Sequence, residues 1–262
     1  MYYTKGTYVM KVMSFANQKG GVSKTTSTQA ITTLLNNQGK KTLAIDLDPQ
    51  GNLSFAMKAD LDGTPTIYNV MKGELRAEEI LQSTKSGDIL PANILLSGSD
   101  TEFTSTGREY LLKESIQEIS KNYEYVIIDC PPALSVLTIN AFVASDFVIV
   151  PSNADVFSLQ GMAQLNNTIQ SVRKYCNPTL KVAGILLTRF NQRTNLSNHI
   201  QKSLNNATTS MDTILFNTVI RNSVTVQESQ YQRTNMVDYD GKSNAMLDYA
   251  KFLSELERII NA

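Results

Sequence analysis

The chain has 262 residues, 42% of them apolar, with 24 Lys and Arg set against 24 Asp and Glu. That length and composition suit one large α/β domain with a sizeable core, and the neutral balance leaves any polyanionic partner dependent on a local patch of charge. Two cysteines, Cys130 and Cys176, and one histidine, His199, exclude a disulfide framework, a CxxC metal site and chemistry built on several histidines, and fit a reducing cytoplasm.

Residues 1–10 read as a short N-terminal extension, since Met1–Lys11 lacks the apolar core of a signal peptide. Residues 11–262 read as one domain, with no repeat or Pro-rich linker. Strands are expected at Val12–Ala16, Thr42–Ile45, Tyr125–Ile128, Phe147–Val150 and Val182–Leu187, each nearly continuous in apolar residues. Helices are expected at Thr25–Asn37, Thr106–Lys121, Leu134–Ala144, Leu159–Tyr175, Leu196–Leu204 and Lys242–Ile260. Alternation of the two types predicts a mainly parallel, twisted sheet flanked by helices. Met57–Leu96, punctuated by Gly63, Pro65, Gly73, Gly87 and Pro91, reads as a peripheral excursion. The uncharged run Ala133–Ser145 is too short to cross a bilayer.

Lys19-Gly20-Gly21-Val22-Ser23-Lys24-Thr25-Thr26 stands between the first expected strand and the first expected helix. A phosphate-binding loop requires that context: glycines let the backbone aim N–H groups at phosphate oxygens, and the helix start adds its positive dipole end. Lys24 would reach the β- and γ-phosphates, and the Thr25 hydroxyl would ligate Mg²⁺. The fold class is therefore a single-domain α/β P-loop NTPase. The usual pattern has glycine before that lysine, whereas this chain has Ser23. Serine fits with negative φ, and a left-handed φ there carries a strain cost.

Two further strands end in carboxylates. Leu43-Ala44-Ile45-Asp46-Leu47-Asp48-Pro49-Gln50-Gly51-Asn52 places Asp46 and Asp48 at the C-terminal edge of a parallel sheet, where ligands bind. A carboxylate there can position a water against the γ-phosphate, or can merely cap a turn. Tyr125-Val126-Ile127-Ile128-Asp129 has the Walker B form, with Asp129 as a Mg²⁺ partner. The guanine-reading NKxD motif is absent, which favours ATP.

KGGVSKTT, opened by a lysine, resembles the deviant Walker A motif of the ParA/MinD superfamily. DLDPQGN is similar to that family's switch segment, and Leu137–Ala141 through Asp146 resembles the ParA branch. The likeness runs from about Lys11 to the C-terminus. It implies that Lys19, by itself only a surface cation, crosses to the partner's phosphates in an ATP-bound homodimer. Asp48 becomes the hydrolytic carboxylate, and the base lies near Thr188–Asn191 and Ile220–Asn222, with Asn222 as a contact. Where the family often has proline before arginine in that second segment, this chain has Ile220 before Arg221.

The resemblance also implies nonspecific binding of double-stranded DNA by the dimer, a ParB-like centromere-binding partner and a cytoplasmic, nucleoid-associated protein that segregates plasmid or chromosomal DNA. Between Lys181 and Arg233, Lys181, Arg189, Arg193, Lys202, Arg221 and Arg233 outnumber Asp212 and Glu228. The bland reading is a solvated polar surface; the resemblance selects Arg193, Arg221 and Lys202 as DNA-binding candidates. Too little chain precedes the phosphate loop for a helix-turn-helix domain. The nearest rival is a MinD-like membrane-cycling or other cargo-positioning ATPase. Membrane cycling needs a basic amphipathic terminal helix, whereas Leu247–Ile260 is mixed in charge and reads as a packing helix, so no membrane partner is expected. An iron–sulfur scaffold of the same fold is opposed by the two distant cysteines. A nonhydrolysing, nucleotide-dependent clamp is the third alternative.

Overall fold

Runs that are apolar at every position must be covered on both faces. The computed structural model describes residues 10–154, 157–191, 204 and 208–262, the side chains of residues 120 and 157–160 excepted. Its strands are β1 Lys11–Phe15, β2 Thr42–Asp46, β3 Gln82–Thr84, β4 Gly87–Leu90, β5 Tyr125–Asp129, β6 Phe147–Asn153 and β7 Lys181–Thr188. They form one seven-stranded sheet in the order β3-β4-β2-β5-β1-β6-β7. Every pairing is parallel except β3 with β4. β2 and β5, buried at all five positions, occupy the middle.

The described helices are α1 Lys24–Asn37, α2 Asn52–Ala56, α3 Ile67–Met71, α4 Ser99–Glu102, α5 Leu111–Ser115, α6 Val136–Ala144, α7 Phe157–Tyr175, α8 Val224–Tyr231, α9 Met236–Asp240 and α10 Asn244–Ile260. One hydrophobic cluster gathers Leu137 and Phe142 of α6 with Leu165 and Ile169 of α7. A second gathers Ile31 and Leu35 of α1 with Tyr249, Phe252 and Leu256 of α10. Each such fully buried side chain contributes about 1.5–3 kcal/mol. The terminal helix thus spends its apolar stripe on the core. Ser243 caps it, its Oγ accepting from Met246 N, and Tyr249 shares a buried hydrogen bond of 3.0 Å with Ser27 Oγ of α1. Its far end meets the start of β1, where Lys11 Nζ donates to the Ile260 carbonyl and to Asn261 Oδ1. Among the described residues, no helix is long and apolar enough to cross a membrane.

The structure departs from the expected elements in several places. Met57–Leu96 is no mere excursion, because it contributes β3 and β4. Ile89 and Leu90 are fully buried, and β4 pairs in parallel with β2. These strands have three and four residues, too short for alternation to stand out against the surrounding turns. The single helix expected at Thr106–Lys121 is instead α5 between short 3₁₀ turns. Its helical spacing survives only as the burial of Leu112, Ile116, Ile119 and Tyr123. β6 continues through Pro151, a residue that cannot donate to a ladder. β1 pairs only as far as Ile149, so Pro151 lies beyond that neighbour, and its carbonyl there accepts from Asn17 Nδ2 at 2.7 Å. α8 and α9 were not anticipated. The helix expected at Leu196–Leu204 falls outside the described residues except Leu204, as does the extension at 1–10 except Met10.

Candidate nucleotide-binding site

β1 runs into the loop Ala16–Ser23, which turns directly into α1. Gly21 takes φ 72° and has open space where a Cβ would sit. Val22 is fully buried behind the loop. Ser23 adopts φ 65° and ψ 29°, the left-handed conformation, and its side chain caps nothing. The serine therefore carries the strain that glycine avoids, on the order of 1 kcal/mol.

Late strands pin this loop from behind. Asn153 Nδ2 donates to the Gly21 carbonyl at 3.4 Å, and Thr188 Oγ1 donates to the Val22 carbonyl at 3.1 Å. Asn17 Oδ1 accepts from Lys19 N at 3.0 Å. Lys24 is buried, with its Nζ donating to the Lys19 carbonyl at 3.2 Å. Burial lowers the Lys24 pKa, while the charges of Asp129 and Asp48 oppose that shift.

The two acidic motifs arrive at the same place. Asp46 and Asp129 are register partners on β2 and β5, and Phe15 of β1 partners Asp129 from the other side. Asp46 accepts from Asp48 N at 3.1 Å, from Ser54 N at 2.8 Å and from Ser54 Oγ at 2.7 Å. Burial nonetheless raises its pKa to about 6. Asp48 accepts from Gln50 N at 3.0 Å, shaping the bend before Gly51, whose φ is 62° and whose absent Cβ would lie 3.3 Å from the Ala92 carbonyl.

Asp129 has both carboxylate oxygens buried without a hydrogen-bond partner. Burial, and then the Asp46 charge, push its pKa well above the usual carboxylate range. An orphaned carboxylate beside two others and a single buried ammonium is a site short of positive charge. Among the described residues no group of three or more His, Cys, Asp or Glu has metal-holding geometry. The buried Asp129 carboxylate with the Thr25 hydroxyl near it fits Mg²⁺, which commonly takes one or two protein groups and completes its shell with phosphate oxygens and water.

The loop opens on a cleft of about 510 Å³, lined by Gly20, Gly21, Ser23, Lys24, Thr25, Thr26 and Asp48 together with α2 and α8, with Asp46 and Asp129 buried behind that lining. Lys19 is half-buried at the loop's entrance, and Val22 supports the loop from behind. Asn222 lines a small adjoining recess with Ser23, Thr26 and Arg189. The two segments expected near the base lie side by side, Phe190 N donating to the Ile220 carbonyl at 2.9 Å and Asn222 N to the Phe190 carbonyl at 3.4 Å.

Several residues of the cleft were missed by motif reading. Gln230 lines it and donates to Thr26 Oγ1 at 3.0 Å. Arg189, which falls in the segment expected near the base but had no role of its own, lines both cleft and recess with φ 51°. Neither has a spacing signal, since both come from elements more than 160 positions from the loop.

Among the described cations of the C-terminal third, Arg189 and Arg221 line one recess and Lys181 stands apart from them. Lys181 and Arg189 lie just beyond or at opposite ends of β7, roughly 25 Å apart at strand rise. Arg221 is engaged in a bidentate pair with Asp248, its Nε at 2.8 Å and Nη2 at 2.7 Å from the carboxylate oxygens. Asp248 also accepts from Arg221 N at 3.0 Å. The guanidinium thus ties the base-side segment to α10. Arg193 and Lys202 lie outside the described residues.

A family model described as an AAA domain matches residues 10–182. The sporulation initiation inhibitor protein Soj of Bacillus subtilis is 35% identical over 250 residues, spanning 92% of this chain and 97% of its own. The chromosome partitioning protein ParA of Caulobacter vibrioides is 36% identical over 253 residues, 94% of each chain. Among solved structures, cobyrinic acid a,c-diamide synthase of Mycobacterium smegmatis with ADP and magnesium superposes with a TM-score of 0.82 at 32% identity, covering 97% of this chain and 96% of its own. The cell division ATPase MinD of Pyrococcus furiosus, at 21% identity and a TM-score of 0.75 over 96% of this chain and 100% of its own, shares the fold. With a loop opened by Lys19, a segment bearing Asp48 and a strand ending in Asp129 brought together where β1, β2 and β5 end, the chain belongs to the ParA/Soj branch of the ParA/MinD family of P-loop ATPases.

Proposed function

We propose that the chain is an ATP-driven switch that holds DNA for partition: it binds ATP with Mg²⁺, dimerises in that state, and as a dimer grips duplex DNA without regard to sequence. The observation that carries the nucleotide half of this reading is that Lys24 and Asp48 line one cleft while Asp129, buried beside it, is close enough for its charge to act on Lys24. A relative named for chromosome partitioning, ParA of Caulobacter vibrioides, supports the biological half.

In this reading Lys24 and the loop N–H groups hold the β- and γ-phosphates, which lie at the start of α1 where the helix dipole favours anions. Thr25 and Asp129 would hold Mg²⁺, which when bound would supply positive charge beside the phosphates. Asp48 orients the water that attacks. Lys19, at the loop's entrance, reaches the nucleotide of a second copy, so that dimer and nucleotide are formed together. DNA contacts come from cations of the C-terminal third, with Arg193 and Lys202 as candidates. Arg221 is the weakest of the three, since Asp248 already neutralises it. A ParB-like protein would stimulate hydrolysis and release the dimer from DNA, in a cytoplasmic protein associated with the nucleoid.

The deciding experiment measures duplex binding with ATP, with ADP and without nucleotide. Salt-sensitive, sequence-indifferent binding restricted to the ATP state is expected, because phosphate contacts act through counterion release. An ATP-bound dimer with no affinity for duplex DNA would refute the partition reading and leave another cargo in its place.

A further inference from the structure

The cleft's side walls are α2 and α8, and three helices form a closed triangle around its mouth. α2 is tied to α1 by Gln29 Nε2, which donates to the Ala56 carbonyl at 2.8 Å. α8 is tied to α1 by Gln230 and Thr26. The third side joins α2 to the turn that ends α8. There the Arg233 guanidinium carbon lies 4.2 Å from the centroid of the Phe55 ring, and Arg233 Nε donates to the Phe55 carbonyl at 3.4 Å. Lys58 Nζ reaches Thr234 Oγ1 at 3.5 Å beside it. Phe55, Ala56, Val226 and Gln230 all face into the cleft.

Backbone strain is concentrated at the same place. Five non-glycine residues among those described have positive φ, namely Ser23, Lys58, Arg189, Asp212 and Arg233. Ser23 and Arg189 line the cleft, while Lys58 and Arg233, at φ 61° and 49°, are the two cations of the third side. Lys58 and Arg233 each follow a helix C-cap, where a left-handed residue closes the last turn: Ala59 N donates to the Ser54 carbonyl and Thr234 N to the Ser229 carbonyl, so the two helix ends that meet here are built alike.

From this arrangement we infer that Arg233 is a positioning residue for nucleotide turnover: stacked on Phe55, it holds the helix that follows Asp48 against the helix over the phosphate loop, and so slows nucleotide exit. The inference rests on the reading of the cleft given above. α2 begins four residues after Asp48 and is tied to Asp46 through Ser54. α8 follows directly on Ile220–Ser223, beside the recess. Parting α2 from α8 therefore opens the phosphate side and the base side together, and the Arg233–Phe55 stack spans that opening.

The test uses the full chain, a fluorescent ADP analogue with Mg²⁺, and stopped-flow measurement of its release. Arg233→Gly suits the purpose, because glycine takes a positive φ without strain and the variant keeps its fold. Release is expected to quicken roughly two- to fivefold, the scale of a partly exposed cation–π contact, with the melting temperature unchanged or raised. Phe55→Leu should reproduce that acceleration, and the double variant should be no faster than either single one. Wild-type release rates in Arg233→Gly would overturn the inference while leaving the cleft's assignment intact. Multiplying effects in the double variant would overturn it too, since Arg233 would then act without Phe55. If the wild-type chain does not bind the analogue at all, the inference falls along with the reading of the cleft.

Discussion

The phosphate side and the base side of the cleft are built in different ways. On the phosphate side, eight consecutive residues make the loop, and the two carboxylate motifs reach it because parallel strands β1, β2 and β5 all end there. On the side expected to take the base, Arg189 and Asn222 are delivered by separate segments and Gln230 comes from a third element at the cleft's wall, held by single ties such as Arg221 to Asp248 and Gln230 to Thr26. One side is fixed by a contiguous piece of sequence, the other by tertiary contacts. Substitutions on the first should abolish chemistry, and substitutions on the second should tune affinity and stability.

The largest effect is expected at Lys24. Lys24→Ala removes the buried ammonium, and ATP affinity should drop by roughly a hundredfold or more, the loss of charge-assisted hydrogen bonds to phosphate. Equilibrium binding of a labelled ATP analogue measures it, and near-wild-type affinity would break the phosphate-side assignment.

Asp48 and Lys19 divide the same side by role. Asp48→Ala should still bind ATP and dimerise while hydrolysing at least about tenfold more slowly than a wild type already well below the ~10 s⁻¹ common among enzymes. Lys19→Ala should bind ATP yet elute as a monomer. Size-exclusion chromatography with ATP separates the two, and a monomeric Asp48→Ala or a dimeric Lys19→Ala would reverse the assignments.

The third prediction concerns pH. Asp46 has a folded pKa of about 6 against an ordinary 3.8, so the folded state binds the extra proton between those values. Folding stability therefore falls as pH rises through that window, by up to about 3 kcal/mol from this group. Without nucleotide the protein should be more stable near pH 5 than near pH 7.5, and Asp46→Asn should make the fall shallower without abolishing it, because burial also raises the pKa of Asp129. Chemical denaturation at the two pH values checks this, and a profile rising across the window would contradict it.

Much of the phosphate side was legible in the sequence because its signals are local. A strand, a glycine turn and a helix start lie within fifteen residues, and a strand ending in Asp needs no partner to be seen. The short strands β3 and β4 carried no readable period. Of the six cations in the C-terminal third, Arg193 and Lys202 lie outside the described residues, while Lys181 and Arg189 stand at opposite ends of β7. No spacing could disclose that Arg221 closes on Asp248 or that Gln230 closes on Thr26, since such contacts exist only after the helices pack.

Two smaller effects sharpen the contrast. Arg221→Ala leaves the buried Asp248 carboxylate without its partner and should cost about 1–2 kcal/mol of stability. Thermal melts alongside DNA titrations separate this structural role from a DNA contact: lost DNA binding at unchanged stability would restore Arg221 to the patch. Ser23→Gly relieves a left-handed serine and should raise stability by up to about 1 kcal/mol, or roughly 2–4 °C in Tm. An unchanged or lower Tm would show that the serine's strain is offset elsewhere.

The tie between Lys11 and Ile260 has a practical consequence. The beginning of the first strand and the end of the last helix are immediate neighbours, at the end of β1 opposite the one that enters the phosphate loop. The domain is therefore close to a ring, and a short bridge between these points would permit circular permutation, with new termini opened in a surface turn such as the one at Gly63. A dye or fluorescent protein attached beside this seam would ride on the rigid body of the domain, clear of the cleft, and could report assembly and movement without obstructing turnover.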